Sequence, residues 1–317
     1  MRTKSLARGK RSLQALLYLS LVVTGLNTSA APPNRMDLPS ELTWALHVDC
    51  DALRKAYIGK YFLYQLDKPE MYSNMVAFQS IFSFDLRTQL HGVTVYGGGG
   101  GLNDCVTIVY GEFNPEKLTA TLRQTQHASR TTAGKHVIYS WTEKGQNAFA
   151  VVQSNRVIKC QNERSLADAM AVIDGLASNL SNSRNLPELS PMPGGTFIQG
   201  VARKTDFLDS NPNTILFKMS KRVKVKVSEE DEQFKGVITL EAADENAARQ
   251  ISMAGQGMMA LLSLQRNDPN LGKTINAISV KQEGRTVTLS LMEPSVDLIS
   301  ILKASADKNA TQDAAVK

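Results

Sequence analysis

The spacing of apolar and polar positions changes period several times along the chain, and each change marks an element. "LTWALHVD" (42–49) alternates with period two, the pattern of a strand with one buried face. "CDALRKAYIGKYFLYQL" (50–66) then places Leu53, Ala56, Tyr57, Tyr61 and Tyr64 on one helical face. "HGVTVYG" and "DCVTIVYGEF" read as strands on either side of a run of five glycines, Gly97 to Gly101. "NPEKLTATLRQT" (114–125) predicts a short helix, with Asn114 suited to the N-cap and Pro115 to the first turn. "HVIYSW" and "NAFAVVQSNRVIKCQ" predict strands, and "RSLADAMAVIDGLA" (164–177) a helix.

The stretch 178–195, "SNLSNSRNLPELSPMPGG", is rich in Ser, Asn, Pro and Gly and reads as a linker. After it the order starts again. "GTFIQGVA" predicts a strand, and a short helical stretch follows near 205–217. "RVKVKVS" and "FKGVITLEAA" form a hairpin, "DENAARQISMAGQGMMALLSLQ" a helix, "INAISVKQEGRTVTLSLM" a second hairpin, and "PSVDLISILKA" a closing helix. Corresponding positions are about 130 residues apart, as with Cys105 and Lys235; the first strands, at Leu42 and Thr196, are about 23 residues further apart than that. The first copy therefore holds extra residues between its first two strands.

Strand–helix–strand–strand–helix–strand is the ferredoxin-like order. The expected fold is α+β, two tandem ferredoxin-like domains (38–177 and 196–304), each an antiparallel sheet with helices on one face. In that topology the second strand is an edge. "RVKVKVS" puts Arg222, Lys224 and Lys226 on one side, and lysines on an edge block sheet-to-sheet association. The competing reading of these three cations is an anion-binding stripe. The helix around Met253, Met258, Met259, Leu261 and Leu262 is apolar nearly all round and is expected to lie between the two domains; a flexible Met-rich binding groove is the alternative.

The first thirty residues alter the charge balance. Arg2, Lys4, Arg8, Lys10 and Arg11 precede a mostly apolar run, Leu13 to Leu26, and small residues follow at 28–31, the pattern of a cleavable secretory signal over 1–30. The chain holds 36 Lys+Arg and 30 Asp+Glu; without those five cations the balance is 31 against 30. A nucleic-acid partner loses its main support, because phosphate neutralisation needs clustered excess cations. No cysteine stands at the cleavage site, which speaks against a lipoprotein, and no later apolar run is long enough to span a bilayer. The expectation is a secreted or periplasmic chain with no transmembrane segment after signal removal and a disordered tail over 305–317.

Motifs for chemistry are few. The glycine run lacks a glycine at i+5, has no Gly-Lys-Ser/Thr, and leads into a strand, so it reads as a hairpin connection and not as a phosphate cradle. His47, Asp49, Cys50 and Asp51 cluster at the end of the first strand, with His47 and Asp49 on one face by period two; a metal or acid/base pair is the functional reading, and polar strand ends that meet water the ordinary one. Nucleophile and zinc-protease signatures are absent. No CxxC pair exists among Cys50, Cys105 and Cys160. If the first strand lies antiparallel beside the third, Cys50 and Cys105 come close enough for a disulfide; two buried thiols are the alternative. No cofactor or metal is implied.

Eight of the 20 aromatic residues fall within 57–84. Tyr57, Tyr61, Tyr64 and Tyr72 are the candidate binding residues, because aromatic rings with polar tips favour interfaces; the alternative is a helical hairpin that fills its own core. The segments "LPSELTWALHVDCDAL", "FDLRTQLHGVTVYGG", "YGEFNPEKLTATL" and "HVIYSW" resemble a group of secreted bacterial proteins of unassigned function. The resemblance spans mainly 38–175, implies an exported bacterial protein, and carries no catalytic residues with it. The expected function is an exported, non-enzymatic binding protein for an unknown protein or small ligand. A hydrolase-like enzyme at a domain cleft and an apolar-ligand carrier are the alternatives.

Overall fold

The computed structural model describes residues 33–98, 104–125, 127–143, 145–190, 195–203, 205, 214–264 and 269–304. The expected signal over 1–30, the expected disordered tail over 305–317 and most of the glycine run lie outside the described residues. Twelve strands form one antiparallel sheet in the order β11-β12-β10-β9-β8-β1-β2-β3-β7-β6-β5-β4. They are β1 (Trp44–Asp49), β2 (Leu90–Gly97), β3 (Val106–Gly111), β4 (Ser129–Ala133), β5 (His136–Glu143), β6 (Gln146–Val152), β7 (Arg156–Cys160), β8 (Thr196–Ala202), β9 (Arg222–Glu230), β10 (Gln233–Glu241), β11 (Ile278–Glu283) and β12 (Thr286–Pro294).

The α+β class and antiparallel pairing follow the sequence pattern. The arrangement does not: in place of two ferredoxin-like sheets there is one, joined where β1 pairs with β8. Read outward from that seam, one half runs β1, β2, β3, β7, β6 and the other β8, β9, β10, β12, β11. The repeated element order survives, with the β4–β5 hairpin added to the outer end of the first half. The first strand lies beside the second and not the third, because of what connects them. After β1 the chain passes through α1 (Cys50–Leu53), α2 (Tyr57–Leu66) and α3 (Pro69–Phe82). These three helices return the chain to the sheet end it left, and β2 pairs antiparallel with β1.

β2 and β3 pair directly on either side of the glycine run, as a hairpin connection requires. β9 is bonded to both β8 and β10, so the lysine-bearing strand is not an edge and protects none. Antiparallel to one shared neighbour, β1 and β3 run parallel to each other. Cys50 therefore lies at the Asp49–Gly92–Tyr110 end of the sheet and Cys105 at the Tyr96–Val106 end. The proposed bridge does not form, and all three cysteines are free.

The remaining helices are α4 (Pro115–Arg123), α5 (Glu163–Ile173), α6 (Ile215–Lys218), α7 (Glu245–Leu264), α8 (Pro269–Ala277) and α9 (295–304). Asn114 caps α4 as expected: its side chain accepts from the Lys117 N–H at 3.1 Å, with Pro115 in the first turn. Helices occupy both faces of the sheet. On one face, Phe78 and Phe82 of α3 and Leu118 of α4 pack on Leu90 and Val93, while Ala248 and Ile251 of α7 pack on Leu240 and Val287. On the other, Leu166, Ala169 and Met170 of α5 cover Val106, Ile108 and Ile158.

The stretch read as a linker belongs to that second core. Leu180, Leu186 and Leu189 are fully buried, and the Arg35 guanidinium donates to the carbonyls of Leu180 at 2.8 Å and Leu186 at 2.9 Å. α7 is not sandwiched between two bodies either. Its small and branched residues face the sheet, and Met253 and Leu261 face outward.

Candidate functional site

The extra residues of the first half build a helical hairpin, α2–α3, on the seam. Its base is held from the second half. The Glu229 carboxylate of β9 accepts the backbone N–H groups of Tyr57 and Ile58, the latter at 3.0 Å, and the Ser295 hydroxyl at 2.6 Å. One buried acid thus satisfies the free N–H groups at the start of α2 and ties them to the first residue of α9. Gly59 is required one residue later. A Cβ there would meet the Leu53 carbonyl oxygen at 1.9 Å, so the first turn of α2 presses directly on the last residue of α1.

The hairpin divides its aromatic residues. Phe78, Phe82 and Phe84 are buried, with ring centroids 4.7 Å apart for Phe78–Phe82 and 6.5 Å for Phe78–Phe84. Tyr64 and Tyr72 stand 63% and 53% exposed, and Tyr57, Met71, Val76 and Ile81 are exposed as well. Tyr57 and Tyr64, seven apart on α2, share a face, as do Tyr72 and Val76 on α3. Tyr61 differs. It is half-buried, tilted against Phe62 at 5.6 Å, with the Lys303 ammonium 5.6 Å from its ring centre. Three of the four candidate tyrosines face solvent, and the fourth helps to dock α9.

A cleft of about 220 Å³ opens beside Tyr57, lined among others by Lys55, Lys60, Glu229, Asp231 and Glu232. A shallower one of about 590 Å³ lies over the first half, lined by Ser83, His91, Tyr110, Glu112 and Ser154 among others. Both open to solvent and carry charged residues in their lining, and neither is the enclosed apolar cavity that a carrier of apolar ligands needs.

The "HVDCD" cluster is inside the protein and not at a wet strand end. His47 is buried, its Nδ1 2.8 Å from the Thr94 hydroxyl, and Asp49 is buried and accepts the Ala52 N–H at 2.8 Å as the cap of α1. Asp51 pairs with Arg54 at 3.2 Å and with His91 Nδ1 at 3.0 Å. Burial raises the Asp51 carboxyl, opposed by the bonds to His91 and Arg54. The second His91 nitrogen faces the Glu112 carboxylate at 3.6 Å. Both ring nitrogens of His91 thus face carboxylates. The environment favours the protonated thiols: burial pushes Cys50 above its ordinary range, raises Cys105, and lifts Cys160 to about 11. Among the described residues no group of three or more His, Cys, Asp or Glu side chains is placed to hold a metal ion. No helix of the described residues is long and apolar enough to cross a membrane.

The sequence reading missed Glu229 and the Asp51–His91 pair. Glu229 opens an acidic run, Glu229 to Glu232, that reads as solvated; the partner that buries it is more than 170 residues away in the chain. His91 and Asp51 meet only because β2 pairs with β1.

No family model and no curated protein matches this chain. Solved structures do match it: three crystal forms of TP0453 align with TM-scores of 0.49 (form III), 0.46 (form I) and 0.44 (form IV). Identity is 8% in each, over 86–87% of this chain and 97–99% of that one. At this level the likeness carries nothing about function.

Proposed function

We propose that this is an exported, non-enzymatic binding protein that engages a protein partner through the outer side of the α2–α3 hairpin. The observation that carries the reading is the division of aromatics on that hairpin: phenylalanines turn inward, while Tyr57, Tyr64 and Tyr72 stay in water with Met71 and Val76. Leaving large rings exposed forgoes about 1.5–3 kcal/mol of burial per side chain, a cost that a partner's surface recovers. Tyrosine is suited to that exchange, since its body is apolar, its tip forms hydrogen bonds, and few torsions are frozen on contact. The hairpin is also firmly seated by Glu229 and the Phe78–Phe82–Phe84 cluster, so a partner meets a preorganised surface. The pattern of residues 1–30 supports export.

The test is a pull-down from exported extract with the mature chain as bait, followed by affinity measurement on the recovered partner. Replacing Tyr64 and Tyr72 together by Ala is expected to weaken binding by roughly tenfold or more, the loss typical of central aromatic anchors. Both side chains are exposed, so the variant keeps its fold and melting temperature. Undiminished recovery with the double variant would remove the hairpin from the interface.

A further inference from the structure

The two faces of the sheet end differently. On the face covered by α5, the apolar core runs from β6 across Ile158, Ile108, Tyr96 and Ala45 to Val201 on β8, and stops there. The next strand on that face is β9, whose side chains are Arg222, Lys224 and Lys226. From β9 to β11 no helix covers this face among the described residues, because α7, α8 and α9 all lie on the opposite side.

Register lays the residues out as a grid. One row is Lys224, Thr239, Thr288 and Lys281, and the next is Lys226, Val237, Ser290 and Ser279. Beyond it Lys235 stands between Ser228 and Met292. These rows hold four lysines and no carboxylate. The strand acids of this face stand outside these rows: Glu241 and Glu283 with Arg222 and Thr286 at one end, and Glu230 beside Gln233 at the other. Glu188 reaches Arg222 at 3.1 Å and Lys224 at 3.3 Å. Lys226, Lys235 and Lys281 have no ion-pair partner among the described residues. β9 and β10 are internal strands, so edge protection does not explain Lys224, Lys226 and Lys235; Lys281 stands on β11, the outer edge of the sheet.

We infer that this open face binds a linear acidic polysaccharide laid across β9, β10, β12 and β11. The lysines supply the charge. Lys224 and Lys226 are roughly 7 Å apart along β9, and Lys281 is roughly 14 Å across the sheet from Lys224. Between them run hydroxyls, Thr239, Thr288, Ser279 and Ser290, the last two 2.7 Å apart, able to donate to acidic oxygens and to exchange hydrogen bonds with sugar hydroxyls. The surface is an uncovered sheet face that belongs to neither cleft, so it suits an extended multivalent chain and not a compact anion. None of these rows carries an aromatic side chain for stacking bases, which separates it from single-strand nucleic-acid platforms. This face is opposite to α2–α3, and the inference stands apart from the protein-binding proposal.

The test is binding of fluorescent polygalacturonate to the mature chain at low and moderate salt. Dextran, a thymidine oligonucleotide and polyglutamate serve as comparison ligands. Polygalacturonate is expected to bind, to weaken as salt rises, and to lose about tenfold or more in affinity in the Lys226→Glu/Lys281→Glu variant, while Lys226→Arg/Lys281→Arg retains it. Lys281→Glu alone, on the outermost strand where folding is least at risk, is expected to give a smaller loss in the same direction. Four results would overturn the inference: no polygalacturonate binding at low salt, equal binding of dextran, tighter binding of the oligonucleotide or polyglutamate, or unchanged affinity in a folded Lys→Glu variant.

Discussion

Single side chains decide much of the internal chemistry. Glu229 shows how a residue that reads as one member of a solvated acidic run becomes a structural acid, because two helix N–H groups and the Ser295 hydroxyl converge on it. Cys160 is the residue whose titration bears most directly on stability. It is buried, its thiol donates to the Asn162 carbonyl at 2.8 Å, and burial lifts it from its ordinary 9.0 to about 11. The fold therefore favours the protonated thiol. That contribution is fully present below pH 9 and is lost as pH rises to about 11, on the order of 2–3 kcal/mol in all. Denaturant midpoints measured from pH 8 to 11 are expected to fall, and to fall less steeply in Cys160→Ala. Cys50 and Cys105 are shifted the same way, so the decline is reduced and not abolished. Parallel curves for the two proteins would show that Cys160 is not the group responsible.

At the scale of elements, the sequence period located helices and strands well where local rules suffice. Asn114 and Pro115 mark the start of α4 by their own chemistry, and alternation finds β1, β2, β3 and β9. The helix read over 50–66 is broken at Arg54–Ala56, which periodicity does not reveal, since Leu53 and Ala56 fit one continuous face. The break lets α2 start at the Glu229 carboxylate and press on α1, and only glycine fits at 59. Gly59→Ala would gain helix propensity worth about 1 kcal/mol in isolation. Here the added carbon collides with the Leu53 carbonyl oxygen, a backbone atom that cannot swing aside. A net destabilisation of about 2 kcal/mol or more is expected from chemical denaturation, with faster hydrogen exchange in α2. A neutral or stabilised variant would refute that packing. The tyrosines obey the same division: clustering in the sequence marks the hairpin, but only packing against α9 sets Tyr61 apart from Tyr64 and Tyr72.

For the whole molecule, the seam is the main consequence. β1 and β8 are internal strands of one sheet, and separating the halves would expose a ladder edge on each. Leu46 lies across from Gly200, where a Cβ would come within 2.8 Å of its Cδ1, so the two strands are fitted to one another. α2 is capped by Glu229, and Arg35 holds the stretch beneath the seam. Unfolding is therefore expected to be a single transition. The two tryptophans, Trp44 and Trp141, both belong to the first half, whereas far-UV circular dichroism reports both halves. The two signals should give superimposable denaturation curves, and separated midpoints would mean that the halves unfold independently.

The sequence by itself determined the elements, their duplicated order, the absence of familiar nucleophile motifs and the concentration of aromatics in one segment. All of these are encoded within a few turns or strand lengths of chain, where spacing and capping chemistry act. The tertiary structure alone decided that the two copies share one sheet, that β9 is central, that Cys50 and Cys105 lie at opposite ends, and that four lysines gather on an uncovered face. These depend on strand neighbours, and neighbours are chosen by where connecting helices deliver the chain and which faces they bury. A periodic pattern says that a strand has two faces, but it does not say what lies beside it.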